Sequence, residues 1–112
     1  TKLATLVAQA QAQASGQGVS AIAVTFRLIL KAGSQGEEVR LLQIYLNTHG
    51  FLVASSGPGS RGFETAYFGP RTRAALIRFQ EAHRAEILAP LGLFNGTGVF
   101  GPATRAFINA NQ

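Results

Sequence analysis

The sequence predicts a mainly α protein: a small three-helix bundle with an N-terminal helix and a β-strand extension. Three observations support this fold class. Apolar residues recur at helical spacing in three separate stretches. One phrase is written twice, 32 positions apart, as TAYFGPRTRAALIRFQ at residues 65–80 and TGVFGPATRAFINANQ at residues 97–112. A further stretch, AIAVTFRLILK at residues 21–31, follows the period-two apolar pattern of a strand.

The first helix of the bundle is predicted to begin in SQGE at residues 34–37. Ser34 is placed as the N-cap, and Glu37 three residues later completes a capping box. Gly50 stands where a left-handed residue ends a helix. Between them runs an apolar stripe at helical spacing. It consists of Val39, Leu42 and Leu46, with Leu41 and Tyr45 beside them.

The repeated phrase supplies the second and third helices. In each copy a proline fits the first helical position, where a missing N–H costs nothing, so Gly69 and Gly101 are the expected N-caps. Phe68 and Phe100 precede these caps and are placed to pack against the following helix. Eight of the sixteen aligned positions agree, including the final glutamine. Because most of these residues start a helix, the repeat predicts two similar loop–helix units rather than a duplicated catalytic motif.

The chain divides into three predicted regions. Residues 1–20 read as an Ala/Gln-rich helix with a Gly/Ser joint, residues 21–32 as a strand-like connecting arm, and residues 33–112 as the main domain. A lone strand leaves its backbone groups unpaired, so the arm needs a partner. Either the short FLVAS segment at residues 51–55 or a neighbouring copy fits. Residues 54–66 make a long Gly/Ser loop that is either functional or mobile.

The composition suits an anionic partner. Ten Lys and Arg against five Glu give a net charge of +5. Nucleic acid, an acidic wall polymer and a membrane surface all match that balance. No apolar run reaches the roughly 18 residues that a membrane span needs. The chain begins at Thr1 and contains no Met, which predicts either a cleaved export signal or an excised piece.

The sequence predicts no enzyme, no cofactor and no metal site. His49 and His83 are the only histidines, and the chain has neither Asp nor Cys to complete a zinc site or orient a base. Glu37 and Glu38 are adjacent in the first turn of a helix, where the helix dipole favours negative charge. They are not the spaced pair of carboxylates that glycoside hydrolysis uses.

Three motifs, in order, resemble the peptidoglycan-binding domain family of the three-helix type. They are GSQGEEVRLLQIYLNTHGF, YFGPRTRAALIRFQ and GTGVFGPATRAFI, and they cover about residues 33–109. The resemblance implies an exported module of the cell wall, periplasm or extracellular space that anchors bacterial or phage enzymes and does no chemistry itself. The family commonly has Asp-Gly before the F-G turn, where this chain has Thr-Ala-Tyr at 65–67 and Thr-Gly-Val at 97–99.

The partner implied by the resemblance is peptidoglycan or another anionic cell-wall polymer, which offers carboxylates, amides and sugar hydroxyls. Arginine pairs with carboxylates in a two-pronged fork, and Asn and Thr pair with amides. Arg71 and Arg78 are seven residues apart and share a helix face, and the ring of Tyr67 can stack on a sugar. Six residues are predicted to bind the ligand: Tyr67, Arg71, Arg78, Arg105, Asn95 and Thr97.

Nucleic acid and a second copy of the chain are the other partners to consider for such a sequence. Nucleic acid is not expected, because the arginines of RTRAALIRFQEAHR are spread around their helix and a glutamate stands among them. The alternative function is a self-assembling extracellular subunit of a filament or surface polymer. There residues 1–32 would form a homo-oligomer by adding a strand to a neighbouring copy.

Overall fold

The computed structural model describes residues 24–112, whose regular structure is helical. α1 spans Glu37–Thr48, α2 spans Pro70–Ala82, the one-turn α3 spans Arg84–Ile87, and α4 spans Pro102–Ala110. A 3₁₀ turn, Ala89–Leu91, follows α3. This confirms the prediction of a mainly α bundle. No helix in the described range is long and apolar enough to cross a lipid bilayer.

The predicted β-strand at residues 21–32 is wrong for the part that the structure describes. Leu30 makes an isolated antiparallel bridge with Phe100, and no strand forms within residues 24–112. The cause is Glu38, whose carboxylate accepts the backbone N–H groups of both Arg27 and Leu28 at 3.0 Å. Successive N–H groups of a strand point to opposite edges, so sharing one acceptor bends the chain here.

The bend breaks the alternation that predicted the strand. Phe26 and Leu30 are each only 3% exposed, and they belong to the core. Leu28 and Ile29 at the bend are 54% and 56% exposed. A regular strand would have placed Leu28 on the buried face with Phe26 and Leu30.

Amide side chains at the end of α4 hold the segment that precedes the bend. Asn109 accepts the N–H of Phe26 at 2.8 Å and donates to its carbonyl at 3.0 Å. Gln112 makes the same pair of bonds with the backbone of Val24. Residues 24–26 therefore pair with side chains instead of a second strand. The predicted N-terminal helix lies outside the described residues.

α1 begins later than the sequence predicted. Its N-cap is Gly36, so the capping box from Ser34 is wrong. Glu37 instead pairs with Arg40 one turn along the helix, and Ser34 Oγ accepts the N–H of Lys31 at 3.0 Å. The helix ends as predicted, since Gly50 follows it in the left-handed conformation with φ of 89°.

α2 and α4 begin as the repeat predicted. Gly69 and Gly101 are their N-caps, and each is followed by a proline in the first turn. Phe68 and Phe100, just before the caps, are completely buried. The two copies of the phrase thus form two equivalent units: the first unit, residues 65–80, and the second unit, residues 97–112.

α2 lies at the centre of the bundle. Phe79 of α2 meets Tyr45 of α1 and Phe107 of α4 edge to face, with ring centroids 5.7 and 5.9 Å apart. Such pairs add roughly 0.5–1.5 kcal/mol to the burial of their area. The largest fully buried apolar side chains are Phe68, Phe79, Phe100, Leu42, Leu46, Leu76, Ile87, Leu88 and Ile108.

Candidate ligand-binding pocket

A buried glutamine fastens the first unit to α1. Gln43, 1% exposed, donates from Nε2 to the hydroxyl of Thr72 at 2.9 Å and to the carbonyl of Tyr67 at 3.0 Å. Its Oε1 accepts the backbone N–H of Thr65 at 2.7 Å. One side chain therefore fixes both the turn before α2 and the first turn of α2.

The second unit is fastened to α2 in the same way. Gln80 donates to the carbonyl of Val99 at 2.9 Å and to the hydroxyl of Thr104 at 3.1 Å. Its Oε1 accepts the N–H groups of Thr97 and Gly98 at 2.9 and 3.0 Å. The acceptors in the two units occupy equivalent positions of the repeated phrase.

A cavity of about 560 Å³ opens beside the first unit. We call it the first pocket. The start of α2 forms one side of it, and the loop after α1 forms the other. It is lined by Gln43, Val53, Ser56, Pro58, Gly59, Thr65, Tyr67, Gly69, Pro70, Arg71 and Thr72.

The loop wall of the first pocket is fastened to the end of α1 by Asn47. The Asn47 amide donates to the carbonyl of Gly59 at 2.9 Å and to the carboxylate of Glu64 at 2.8 Å. Its Oδ1 accepts the N–H of Val53 at 2.8 Å, and its backbone carbonyl accepts the guanidinium of Arg61 at 3.0 Å. The long Gly/Ser loop is therefore held by a network of hydrogen bonds.

Glu64 contributes a charge to this network. Partial burial raises the pKa of Glu64, but hydrogen bonds from Asn47 and Gly62 and the charge of Arg40 outweigh it, so that the net pKa is lowered from 4.5. The anchored loop therefore favours the ionised carboxylate.

The ring of Tyr67 forms the rim of the first pocket and is half exposed. It lies directly over Gly69, where an added Cβ would come within 3.0 Å of the ring. Gly69 has an ordinary extended backbone with φ of −101°, so it is the approach of the ring that calls for glycine here. The equivalent Gly101 has nothing within 4 Å of such a Cβ.

Arg71 is the cation of the first pocket. It is exposed, and within residues 24–112 its side chain makes neither an ion pair nor a hydrogen bond. The backbone N–H groups of Arg71 and Thr72 lie in the first turn of α2, where no helical carbonyl is available to them. They too have no acceptor in the described part of the chain. The pocket thus presents unoccupied donors.

A second pocket, of about 360 Å³, opens at the equivalent place beside the second unit. Val99 stands where the first pocket has Tyr67, and Ala103 stands where it has Arg71. Its outer wall comes from α3 and the 3₁₀ turn instead of a polar loop. The lining residues are Gln80, Ile87, Leu88, Leu91, Thr97, Val99, Gly101, Pro102, Ala103 and Thr104.

The six residues predicted to bind the ligand do not lie in one place. Tyr67 and Arg71 line the first pocket, and Thr97 lines the second. Two arginines form hydrogen bonds within the protein instead: Arg78 donates to the carbonyl of Leu52 at 2.6 Å, and Arg105 donates to the carbonyl of Arg27 at 2.8 Å. Asn95 is exposed and lines neither pocket.

The sequence did not predict that Gln43 and Asn47 hold the walls of the first pocket in place. No role was assigned to Gln43 or Asn47 from the sequence patterns. The repeated phrase ends in glutamine in both copies, but only Gln80 fastens a turn: Gln112 bonds to Val24, and Gln43 lies outside the phrase. The contacts of Asn47 with the loop span as many as 17 positions, and no local pattern announces them.

The fold is a small helical bundle with a pocket beside each unit. Residues 35–87 match the model of the family described as "Putative peptidoglycan binding domain". This match confirms the family resemblance over α1, the anchored loop and the whole first unit, while the third motif, GTGVFGPATRAFI at residues 96–108, lies outside it. No curated protein and no solved structure matches the chain.

Proposed function

We propose that this protein is a non-catalytic cell-wall module of an exported protein, and that it binds peptidoglycan through the first pocket. The observation that carries the proposal is the position of Tyr67 and Arg71. Both line one cavity, and that cavity lies wholly within the matched residues 35–87. The second unit lies outside the match.

The chemistry of the first pocket suits a polymer of sugars and short peptides. The exposed ring of Tyr67 offers a flat apolar face for the C–H groups of a sugar. Arg71 offers a forked cation for a carboxylate. A pocket that combines apolar walls with a few convergent polar groups is the usual form of a small-ligand site.

Two further observations support a binding role without chemistry. Residues 24–112 contain no group of three His, Asp or Glu side chains that could hold a metal. Both histidines lie away from the first pocket, His83 among aromatic rings and His49 stacked on Tyr45 at 3.9 Å between centroids. Export follows from the proposed ligand, because peptidoglycan lies outside the cytoplasmic membrane.

Co-sedimentation with purified sacculi tests the proposal. The parent chain should pellet with sacculi, and Arg71→Ala should bind at least about tenfold more weakly, since it removes a charge-assisted contact. Arg73→Ala is the matched control. It removes the same charge from another exposed position of α2, two residues further along, which lies outside the first pocket. Failure of the parent chain to pellet would defeat the proposal.

Self-association is the second candidate function. It is favoured by Leu28 and Ile29, two adjacent aliphatic side chains that are more than half exposed at the bend. Neighbouring exposed apolar groups are a typical feature of contacts between copies. Size-exclusion chromatography with light scattering on the 112-residue chain distinguishes the two functions. A monomer at all concentrations removes the second, and an oligomer that Leu28→Ser/Ile29→Ser dissociates supports it.

A further inference from the structure

We propose that the first pocket recognises a free carboxylate, so that the ligand is the acidic peptide portion of the wall polymer and not its neutral glycan. The inference rests on the proposed function and names the part of the polymer that the site selects. It is argued from the donors that the pocket presents, from the charges around them and from the comparison with the second pocket.

The donors of the first pocket converge at the start of α2. The N–H groups of Arg71 and Thr72 are unpaired there within the described residues. The hydroxyl of Thr72, only 2% exposed, accepts a bond from Gln43 but has no acceptor for its own proton in residues 24–112. A helix start of this kind favours an anion through both its free N–H groups and its dipole.

The charge around these donors is of one sign. Arg71 lines the pocket with no carboxylate partner among residues 24–112. None of the residues lining the pocket is acidic. Glu64 lies at the end of the loop wall, but its carboxylate is occupied by Asn47 and by the N–H of Gly62 at 3.3 Å. An entering carboxylate therefore meets donors and a cation without a competing anion.

The second pocket acts as an internal control for this argument. It has the same helix start, with Ala103 and Thr104 in the positions of Arg71 and Thr72. It lacks the cation, and aliphatic side chains from Ile87, Leu88 and Leu91 form its outer wall. Because burying a charge in such surroundings is costly, the second pocket is not expected to take a carboxylate.

The experiment compares sacculi whose carboxylates are free with sacculi whose carboxylates have been coupled to glycinamide by a carbodiimide. Mock-treated sacculi, exposed to the amine alone, are the reference. The parent chain should bind coupled sacculi at least about tenfold more weakly than mock-treated ones. Equal binding to both overturns the carboxylate inference and leaves wall binding intact. No binding to mock-treated sacculi overturns the proposed function itself.

Variants separate site recognition from general attraction between a basic protein and an acidic polymer. Arg71→Gln should bind both sacculi with the same low affinity, and Arg73→Ala should keep the discrimination of the parent. Circular dichroism confirms that each variant is folded. If Arg71→Gln still discriminates as strongly as the parent, general charge attraction explains the preference and the inference is overturned.

Discussion

Gln43 of α1 fastens the turn before α2 in the first unit, and Gln80 of α2 fastens the turn before α4 in the second unit. Both glutamines bond to a threonine hydroxyl in the helix and to a carbonyl in the turn. Two positions that line the pockets differ: Tyr67 and Arg71 in the first unit become Val99 and Ala103 in the second. A third difference is the outer wall, a polar loop in one case and aliphatic side chains in the other.

This comparison separates the residues that form the backbone structure of a unit from those that set the chemistry of its pocket. Glycine, proline, threonine and phenylalanine recur at equivalent positions and have the same structural task in both units. The side chains that differ in the pockets, Tyr67 and Arg71 against Val99 and Ala103, take no part in the hydrogen-bond clamps that Gln43 and Gln80 form. A duplicated scaffold thus presents one polar, cationic pocket and one apolar pocket. A fold hosts a function through the residues grafted on it.

Removing a clamp glutamine should have the largest effect on stability. Gln80→Leu leaves the N–H groups of Thr97 and Gly98 without partners, and the carbonyl of Val99 keeps only the 3.4 Å bond from the hydroxyl of Thr97. We expect a loss of roughly 2–4 kcal/mol from the free energy of unfolding, measured by urea denaturation. Gln43→Leu should lose somewhat less, because Oε1 of Gln43 accepts only one N–H group.

An exposed glutamine provides the control for the clamp. Gln35 is exposed and its side chain makes no hydrogen bond within residues 24–112. Gln35→Leu should change the free energy of unfolding by less than about 0.5 kcal/mol. Clamp variants as stable as this control would contradict the role given to the two buried glutamines.

Asn47→Ala should affect only the first pocket. The change removes the side-chain partners of Val53, Gly59 and Glu64, and we expect a loss of about 1–3 kcal/mol. Backbone amides of residues 53–64 should exchange with deuterium faster, while those of residues 97–101 stay unchanged. Sacculus binding should weaken because the pocket loses its wall. Uniform acceleration of exchange across both units would contradict the separation between them.

The two N-cap glycines offer a matched pair. Gly69→Ala and Gly101→Ala should each cost about 1 kcal/mol, because alanine is a poorer N-cap than glycine. Only Gly69→Ala places a methyl against the ring of Tyr67. It should therefore weaken sacculus binding several-fold, whereas Gly101→Ala should not. Equal binding by the two variants would remove Tyr67 from the site.

The smallest expected effect is on pH dependence. The pKa of Glu64 is lowered from 4.5 in the folded protein, so its contribution is present above that value and is lost as pH falls through the lower, folded value. The melting temperature of the parent should fall between about pH 5 and pH 3, and Glu64→Gln should flatten part of that fall. A profile that Glu64→Gln leaves unchanged would contradict this contribution of Glu64.

Local chemistry predicted much of this fold. The starts of α2 and α4 were predicted correctly because a Gly-Pro pair favours a helix start through local backbone geometry alone. The burial of Phe68 and Phe100 follows from their place before the caps. The strand was wrong because Glu38, ten positions away from Leu28, bends the chain there. The clamps were missed because a glutamine buried by tertiary contacts looks the same in sequence as one on a surface.

The candidate site was predicted only in part. Tyr67 and Arg71, two of the six residues predicted to bind the ligand, line the same pocket. Arg78 and Arg105 were grouped with them by charge and helical spacing, but each donates to a backbone carbonyl of a distant segment. Spacing along one helix cannot show that a second segment occupies the same face. The loop wall of the pocket depends on contacts of Asn47 with distant residues, and these contacts are visible only in the folded structure.

The most direct test exchanges the residues that distinguish the two pockets. Tyr67→Val/Arg71→Ala gives the first pocket the lining of the second, and Val99→Tyr/Ala103→Arg does the reverse. In co-sedimentation with sacculi, the first double variant should lose binding by at least about tenfold while remaining folded, and the second should bind at least as well as the parent. Undiminished binding by Tyr67→Val/Arg71→Ala would contradict the claim that the first pocket is the wall-binding site.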